Sequence, residues 1–305
     1  MKAKNWIFTV AIFLVSIVIV QAQSSTNNAQ STGTEKQEKK YQARAGKAQT
    51  FGAEAFEVSD KTTLRWLGMA GFFINSRGTI LMVDPLLEGF DMPLLIDFPI
   101  APKDVVRLDA VLVTHADNDH YSIPTNRDLL RVTKEYHSTI YVDSLMKNEG
   151  FKSFGHTIGD EFKIGSLKIK LTPADYAYQN AYPGMSKRVF KNEDACGFWI
   201  ETPDGTIWAP GDSRLMKEHL ELPQPDAILF DFSDSEWHFT LEGAVKIANA
   251  YPNTPLLLNH WGSVDAPDFT PFNGDPEKLK KLVINPQRIY VLVPGEAFTL
   301  KKIKK

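Results

Sequence analysis

Thr114-His115-Ala116-Asp117-Asn118-Asp119-His120-Tyr121 compresses four potential metal ligands, His115, Asp117, Asp119 and His120, into six residues directly after the apolar stretch 110–114. Side chains alternate along an extended segment, so the i, i+2, i+4 spacing lets His115, Asp117 and Asp119 share one side. Imidazole mixed with carboxylate suits zinc, manganese or iron, and one cation has no room for the whole set. Two divalent ions about 3.5–4 Å apart would divide it and bridge a hydroxide between them. The competing reading of this segment alone is a polar turn whose charges cap the following helix.

Outward from this segment, other apolar strands end in the same residue types. Val83-Asp84-Pro85 closes a strand with an acid, Ala209-Pro210-Gly211-Asp212 does so after a hairpin, and Leu258-Asn259-His260-Trp261-Gly262 sets a histidine after a buried strand. The folded body opens near Lys61 with strands over residues 62–67, 72–75 and 79–83, the last two joined by Ser76-Arg77-Gly78. Residues 123–136 carry helical periodicity after Pro124, residues 140–142 read as extended, and 167–171 alternate as a strand. A hairpin of 197–201 and 206–209 turns around Pro203-Asp204-Gly205. Strand 227–230, helix 241–250, strand 256–258, helix 276–282 capped by Asp275, and strand 289–293 complete the chain. Strands with interleaved helices imply sheets whose outer faces are covered by helices.

In this order, with His-x-Asp-x-Asp-His second, the ligands resemble those of the metallo-β-lactamase-fold hydrolases, over roughly residues 62–300. Trp66-Leu67-Gly68-Met69-Ala70-Gly71-Phe72, Asp84-Pro85, Thr172-Pro173-Ala174, and His238 with Leu241-Glu242-Gly243-Ala244 ahead of His260-Trp261-Gly262 are similar to the branch holding the ascorbate-phosphate lactonases and N-acyl phosphatidylethanolamine phospholipase D enzymes. The resemblance implies an α/β (α+β) fold, a four-layer αββα sandwich, with ligands emerging from strand ends along one edge. It implies that His115 and Asp117, with Asp175, hold a first divalent ion, that Asp119, His120 and His260 hold a second, and that Asp212 bridges them. Asp84 would orient a ligand histidine, its alternative being a turn residue before Pro85.

Two departures from the family pattern His-x-His-x-Asp-His stand out. Its second histidine is Asp117 here, and the harder carboxylate tilts preference from zinc toward manganese or iron. Relatives place a histidine near Thr172-Pro173-Ala174-Asp175-Tyr176; here Asp175 is the expected ligand, Tyr176 stands beside it, and the alternative for Asp175 is a strand-end turn. His238 either lines the pocket, where it counts with Asp119 as a catalytic residue, or closes its loop. His137, His156 and His219 read as surface or packing residues.

No Gly-x-Ser-x-Gly elbow, phosphate loop or activated cysteine occurs, so water is the expected nucleophile, with Asp119 orienting it and passing a proton to the leaving group. The expected substrate is a small or lipid-like ester, lactone or phosphodiester. The apolar segment 86–103 could wall the pocket or pack on the body, and Lys187, Arg188 and Lys191 could receive an anion or stay solvated. The competing class is a binding protein on the same fold with a degenerate, non-catalytic site.

Composition describes a chain with ample material for a packed core. Of 305 residues 43% are apolar, and Cys196 is the sole cysteine, which excludes disulfides and cysteine-based metal sites. Lys2 and Lys4, the apolar run 6–20 and Val20-Gln21-Ala22 predict a signal peptide over residues 1–22 cleaved after Ala22, and so a periplasmic or secreted protein without stable membrane insertion. An uncleaved N-terminal helical anchor is the alternative. Loss of both lysines leaves 32 basic against 37 acidic residues, which argues against nucleic-acid binding. Residues 23–60, poor in large apolar side chains, predict a flexible polar linker before a hydrolase domain at 61–305.

Overall fold

The computed structural model describes residues 40–303 except 183, 185 and 186, all within the compact unit Lys39–Lys305. The signal peptide expected over residues 1–22, and residues 23–39 of the expected linker, lie outside the described residues.

Strands β1 (Thr62–Gly68), β2 (Gly71–Ser76) and β3 (Thr79–Val83) form an antiparallel meander. β4 (Ala110–Leu112) joins β3 in parallel. Helix α1 (Ile123–Leu129) leads to β5 (Tyr136–Thr139), and helix α2 (Ile140–Asn148) to β6 (Ser153–His156), which extend the parallel half. The second sheet repeats the plan. β7 (Glu161–Ile164), β8 (Leu167–Thr172), β9 (Gly197–Thr202) and β10 (Gly205–Ala209) are antiparallel. β11 (Ala227–Asp231), helix α3 (Thr240–Ala250), β12 (Leu256–Asn259), helix α4 (Pro276–Leu282) and β13 (Ile289–Tyr290) continue it in parallel. The last strand, β14 (Ala297–Thr299), returns to pair with β1, giving two seven-stranded sheets.

The sheets bury their facing sides together, with Trp66, Phe72 and Ile74 of the first sharing one core with Ile169, Phe198 and Ile207 of the second. The opposite side of the first sheet packs Phe73, Ile80 and Met82 against Leu129, Val142 and Met146 of α1 and α2. Ile247 of α3 and Leu279 of α4 cover the second sheet. Both faces of the central strands are therefore buried, and their sequences run continuously apolar. The expected αββα sandwich is the observed fold.

Local chemistry corrects two expected elements. The helix expected over residues 123–136 stops at Leu129, and the chain turns to enter β5. Residues 140–142, expected to be extended, open α2: the Thr139 hydroxyl caps the helix by accepting from the Val142 amide, while Val142 and Met146 bury its inner face. β-branched Ile140 has strand propensity, but capping and burial override it.

The linker expected over residues 23–60 is also corrected in its described part. Ala45 N–H donates to Gly262 O at 3.1 Å, Gln49 N–H to Pro294 O at 2.8 Å and Phe51 N–H to Pro99 O at 3.2 Å. Phe51 and Phe56 are buried against Phe73, with ring centroids 5.3 and 5.1 Å away. Two buried phenylalanines at about 1.5–3 kcal/mol each suffice to anchor an otherwise polar strap. A Cβ at Gly262 would lie 2.7 Å from the Ala45 nitrogen, so the strap's path requires glycine there.

Candidate metal centre

Parallel strands deliver their C-terminal ends to one edge of the sandwich, the usual place for ligands in α/β sheets. Asp84 follows β3, Asp212 lies three residues beyond β10, Asp231 ends β11, and His260 follows β12. His115 to His120 lie in the loop between β4 and α1. Asp84 and His260 adopt left-handed backbone conformations, φ +44° and +59°, which side chains other than glycine rarely adopt outside sites that over-determine them.

Four imidazoles are oriented by what their Nδ1 atoms meet. His120 Nδ1 lies 2.9 Å from Asp84 Oδ2, and the same carboxylate accepts the Thr114 amide and hydroxyl, each at 2.7 Å. His238 Nδ1 lies 2.9 Å from Asp231 Oδ2, and His260 Nδ1 2.9 Å from Pro271 O. His115 Nδ1 lies 3.1 Å from Thr114 Oγ1. An imidazole that donates through Nδ1 presents its Nε2 lone pair on the other side. All four Nε2 atoms converge on Asp212 Oδ2, at 3.1 Å for His120, 3.5 Å for His260, 3.7 Å for His238 and 3.9 Å for His115. Asp119 Oδ2 is 3.1 Å from His260 Nε2.

Among the described residues, three groups place their ligand atoms within 4.8 Å of one another: His115, His120 and Asp212; Asp119, His120 and His260; and Asp212, Asp231, His238 and His260. Every member is buried. His115 Nε2 is buried without any hydrogen-bond partner, an orphan that a cation would satisfy. Imidazole nitrogens with carboxylate oxygens are the donor set of zinc, iron and manganese, so these residues fit the implied divalent metal.

The electrostatics point the same way. Burial opposes charge on Asp119, but His120 and His260 override it and hold the carboxyl at about 2. Burial also opposes charge on His260, which Asp212 and Asp119 nevertheless raise to about 9. Against the same penalty, His120, His260 and His238 hold Asp212 well below the carboxylate range. The carboxylates stabilise positive charge in this pocket, and a cation taking that place releases protons.

The structure brings His115, Asp117, Asp119, His120, Asp212, His238 and His260 together and excludes Asp175. The Asp175 amide donates to Ser213 Oγ at 2.8 Å, and its carboxylate pairs with Arg214 Nη2 at 2.8 Å. That register turns Tyr176 inward instead, and its hydroxyl donates to Asp117 Oδ2 at 3.1 Å. Asp117 stands 3.4 Å from His115 Nε2, and its other oxygen accepts from Gln179 Nε2 at 2.8 Å. Asp231 was legible by the strand-end acid pattern that marks Asp84, yet its run of acidic neighbours concealed it. Gln179 carries no sequence signal. His137 and His156 pair at 2.9 Å and stack on Phe162 away from the centre, and His219 is buried against Pro173 O at 3.0 Å.

A cavity of about 560 Å³ opens over Asp119, Asp212, His238 and His260. Phe90 and Met92 of the segment 86–103 line it, whereas Leu86, Leu87 and Ile100 pack into the body, so that segment does both of the things expected of it. Arg188 instead pairs with Asp194 at 2.6 Å and Lys191 with Glu193 at 3.3 Å, beside a separate recess.

Residues 79–261 match the family described as the beta-lactamase superfamily domain. A UPF0173 metal-dependent hydrolase of Pyrococcus furiosus is 28% identical over 250 residues, covering 77% of this chain and 98% of the relative. Among solved structures, the chain is similar to Igni18, a metallo hydrolase of the archaeon Ignicoccus hospitalis, with TM-score 0.61 and 20% identity over 80% of this chain and 100% of that one. It is also similar to an isothiocyanate hydrolase from Delia radicum gut bacteria, with TM-score 0.61 and 18% identity over 78% of this chain and 99% of that one.

Proposed function

We propose, from the premise that this chain belongs to the beta-lactamase superfamily domain family, that it is an exported metal-dependent hydrolase cleaving an ester, lactone or phosphodiester with water as the nucleophile. The convergence of four oriented imidazoles on Asp212 Oδ2, at the floor of a substrate-sized cavity, carries this reading. Relatives named metal-dependent hydrolases support the reaction type, and the signal-like residues 1–22 support export.

His115, Asp117 and Asp212 would hold one divalent ion, and Asp119, His120, His260 and Asp212 the other. Bound there, such ions supply Lewis-acid polarisation of the scissile group and a water of lowered pKa. Asp119 lines the cavity floor as an ionised acceptor and orients the attacking water. His238, its Nδ1 tied to Asp231, keeps Nε2 at the same floor, where it accepts a proton and returns it to the leaving group. Tyr176 and Gln179 hold both oxygens of Asp117 and fix its direction.

Metal-loaded protein screened against acyl esters, lactones and phosphodiesters tests the reading, with His238→Asn as the discriminating variant. Turnover is expected in at least one class, falling 10²–10⁴-fold in the variant with its metal content unchanged. Retained metal with no turnover in any class would favour the catalytically silent alternative, in which the hydrogen bonds on Asp117 serve structure alone.

A further inference from the structure

Away from its floor, the cavity over the metal centre has one charged group and one kind of wall. Asp117, Asp119 and Asp212 lie at the floor, where they would hold the cations; above it, among the described residues, Asp91 is the one charged lining residue, and no lysine or arginine lines the cavity. Its imidazoles, His238 and His260, belong to the floor. Arg214 lies 5.0 Å from the ring of Trp237 but is tied to Asp175, and it does not line the cavity. Of the first amides of α3, which begins two residues after His238, Leu241 N–H donates to Asp234 Oδ1 at 2.9 Å and Gly243 N–H to Thr240 Oγ1 at 3.3 Å, and neither Thr240 nor Glu242 lines the cavity. A phosphate oxygen seeks an arginine, a lysine or a free helix N-terminus, and away from the floor none of these lines the cavity among the described residues.

Two aromatic clusters make the walls. Tyr178 meets Tyr176, Tyr182 and Trp237 with ring centroids 5.2, 6.0 and 6.1 Å apart. Phe272 meets Phe90 and Phe269 at 5.9 and 5.6 Å. Ring faces carry negative potential, so they repel anions and favour other rings in tilted or offset contact. Cations held by Asp119 and Asp212 would sit at the floor, whereas the body of a substrate meets these rings and Asp91.

We propose that the cavity selects an uncharged substrate with an aromatic ring beside its scissile carbonyl, an aryl-bearing ester or lactone, and discriminates against phosphodiesters. This rests on the hydrolytic reading above for its reaction but on the cavity alone for its charge and shape. Tyr178, at the junction of its cluster, is the specificity-determining residue for the ring, and Asp91 sets the sign of charge at the mouth.

The test is equilibrium binding to the metal-loaded full chain, by calorimetry, of two tetrahedral probes of nearly equal shape: benzyl methyl sulfone, which is uncharged, and phenylmethanesulfonate, a monoanion that coordinates metals weakly. The sulfone is expected to bind at least tenfold more tightly. Tyr178→Ala should weaken the sulfone at least fivefold, and Asp91→Arg, at an exposed position, should strengthen the sulfonate by a similar factor. Sulfonate binding equal to or tighter than sulfone binding, or no binding of either, overturns the proposal. Phenyl acetate hydrolysis is measured separately: sulfone selectivity without turnover removes the hydrolytic reading and leaves the charge selection standing.

Discussion

Asp84 and His120 meet at 2.9 Å although 36 residues separate them, because β3 and β4 run parallel and side by side and release them at the same edge. The aspartate also secures the Thr114 backbone, so one carboxylate positions both the ligand loop and an imidazole within it. Asp84→Asn keeps the shape and weakens that orientation. Metal affinity, measured by competition with a chromophoric chelator, should fall 10–100-fold with the circular dichroism spectrum unchanged.

Asp212→Ala should damage metal binding more than loss of any single histidine, since all four Nε2 atoms converge on its Oδ2. Both metals should weaken together, and hydrolysis should fall with them. His260→Ala should spare the metal on the His115 side. Elemental analysis and turnover, measured side by side on the two variants, check this, and full metal content in Asp212→Ala would exclude a shared carboxylate.

Asp117→His should shift preference from manganese or iron toward zinc. The substitution also releases Tyr176 and Gln179 from their carboxylate partner. Paired with Gln179→Ala to make room, the variant should bind zinc at least tenfold more tightly than the parent in a competition titration, with the fold intact.

A pH effect on stability should come from His137, away from the metal centre. Burial pushes this imidazole down from its ordinary value of 6.5 to about 4, with Glu135 only partly offsetting it. The unfolded chain therefore binds a proton near pH 6.5 that the folded chain refuses until about pH 4. Stability from this site is full above pH 6.5 and drains away as pH falls toward 4. Urea unfolding of His137→Phe between pH 4 and 8 should show a shallower acid limb than the parent.

The mature protein should begin at Gln23 and reside outside the cytoplasm, from Lys2, Lys4, the apolar run 6–20 and Val20-Gln21-Ala22. Mass spectrometry of the N-terminus and fractionation of cells check both; an intact Met1 in membranes would favour the anchor.

The sequence by itself determined the fold class and most of the residues that gather at the candidate site. Apolar strands ending in acid or histidine are local patterns, and His115, Asp119, His120, Asp212 and His260 lie where those strands stop. Asp117 as a departure from the usual histidine was equally plain, since it needs only the spacing of one loop. Tertiary structure alone decided which neighbour points inward. Asp175 and Tyr176 differ by one residue, and one step along an extended chain reverses the side chain; the hydrogen bond from the Asp175 amide to Ser213, 38 residues away, sets that step. The partnership of His238 with Asp231, the aromatic walls and the packing of residues 42–56 onto the body likewise depend on contacts between distant segments. Local propensity carries no information about such contacts until the two sheets have closed on each other.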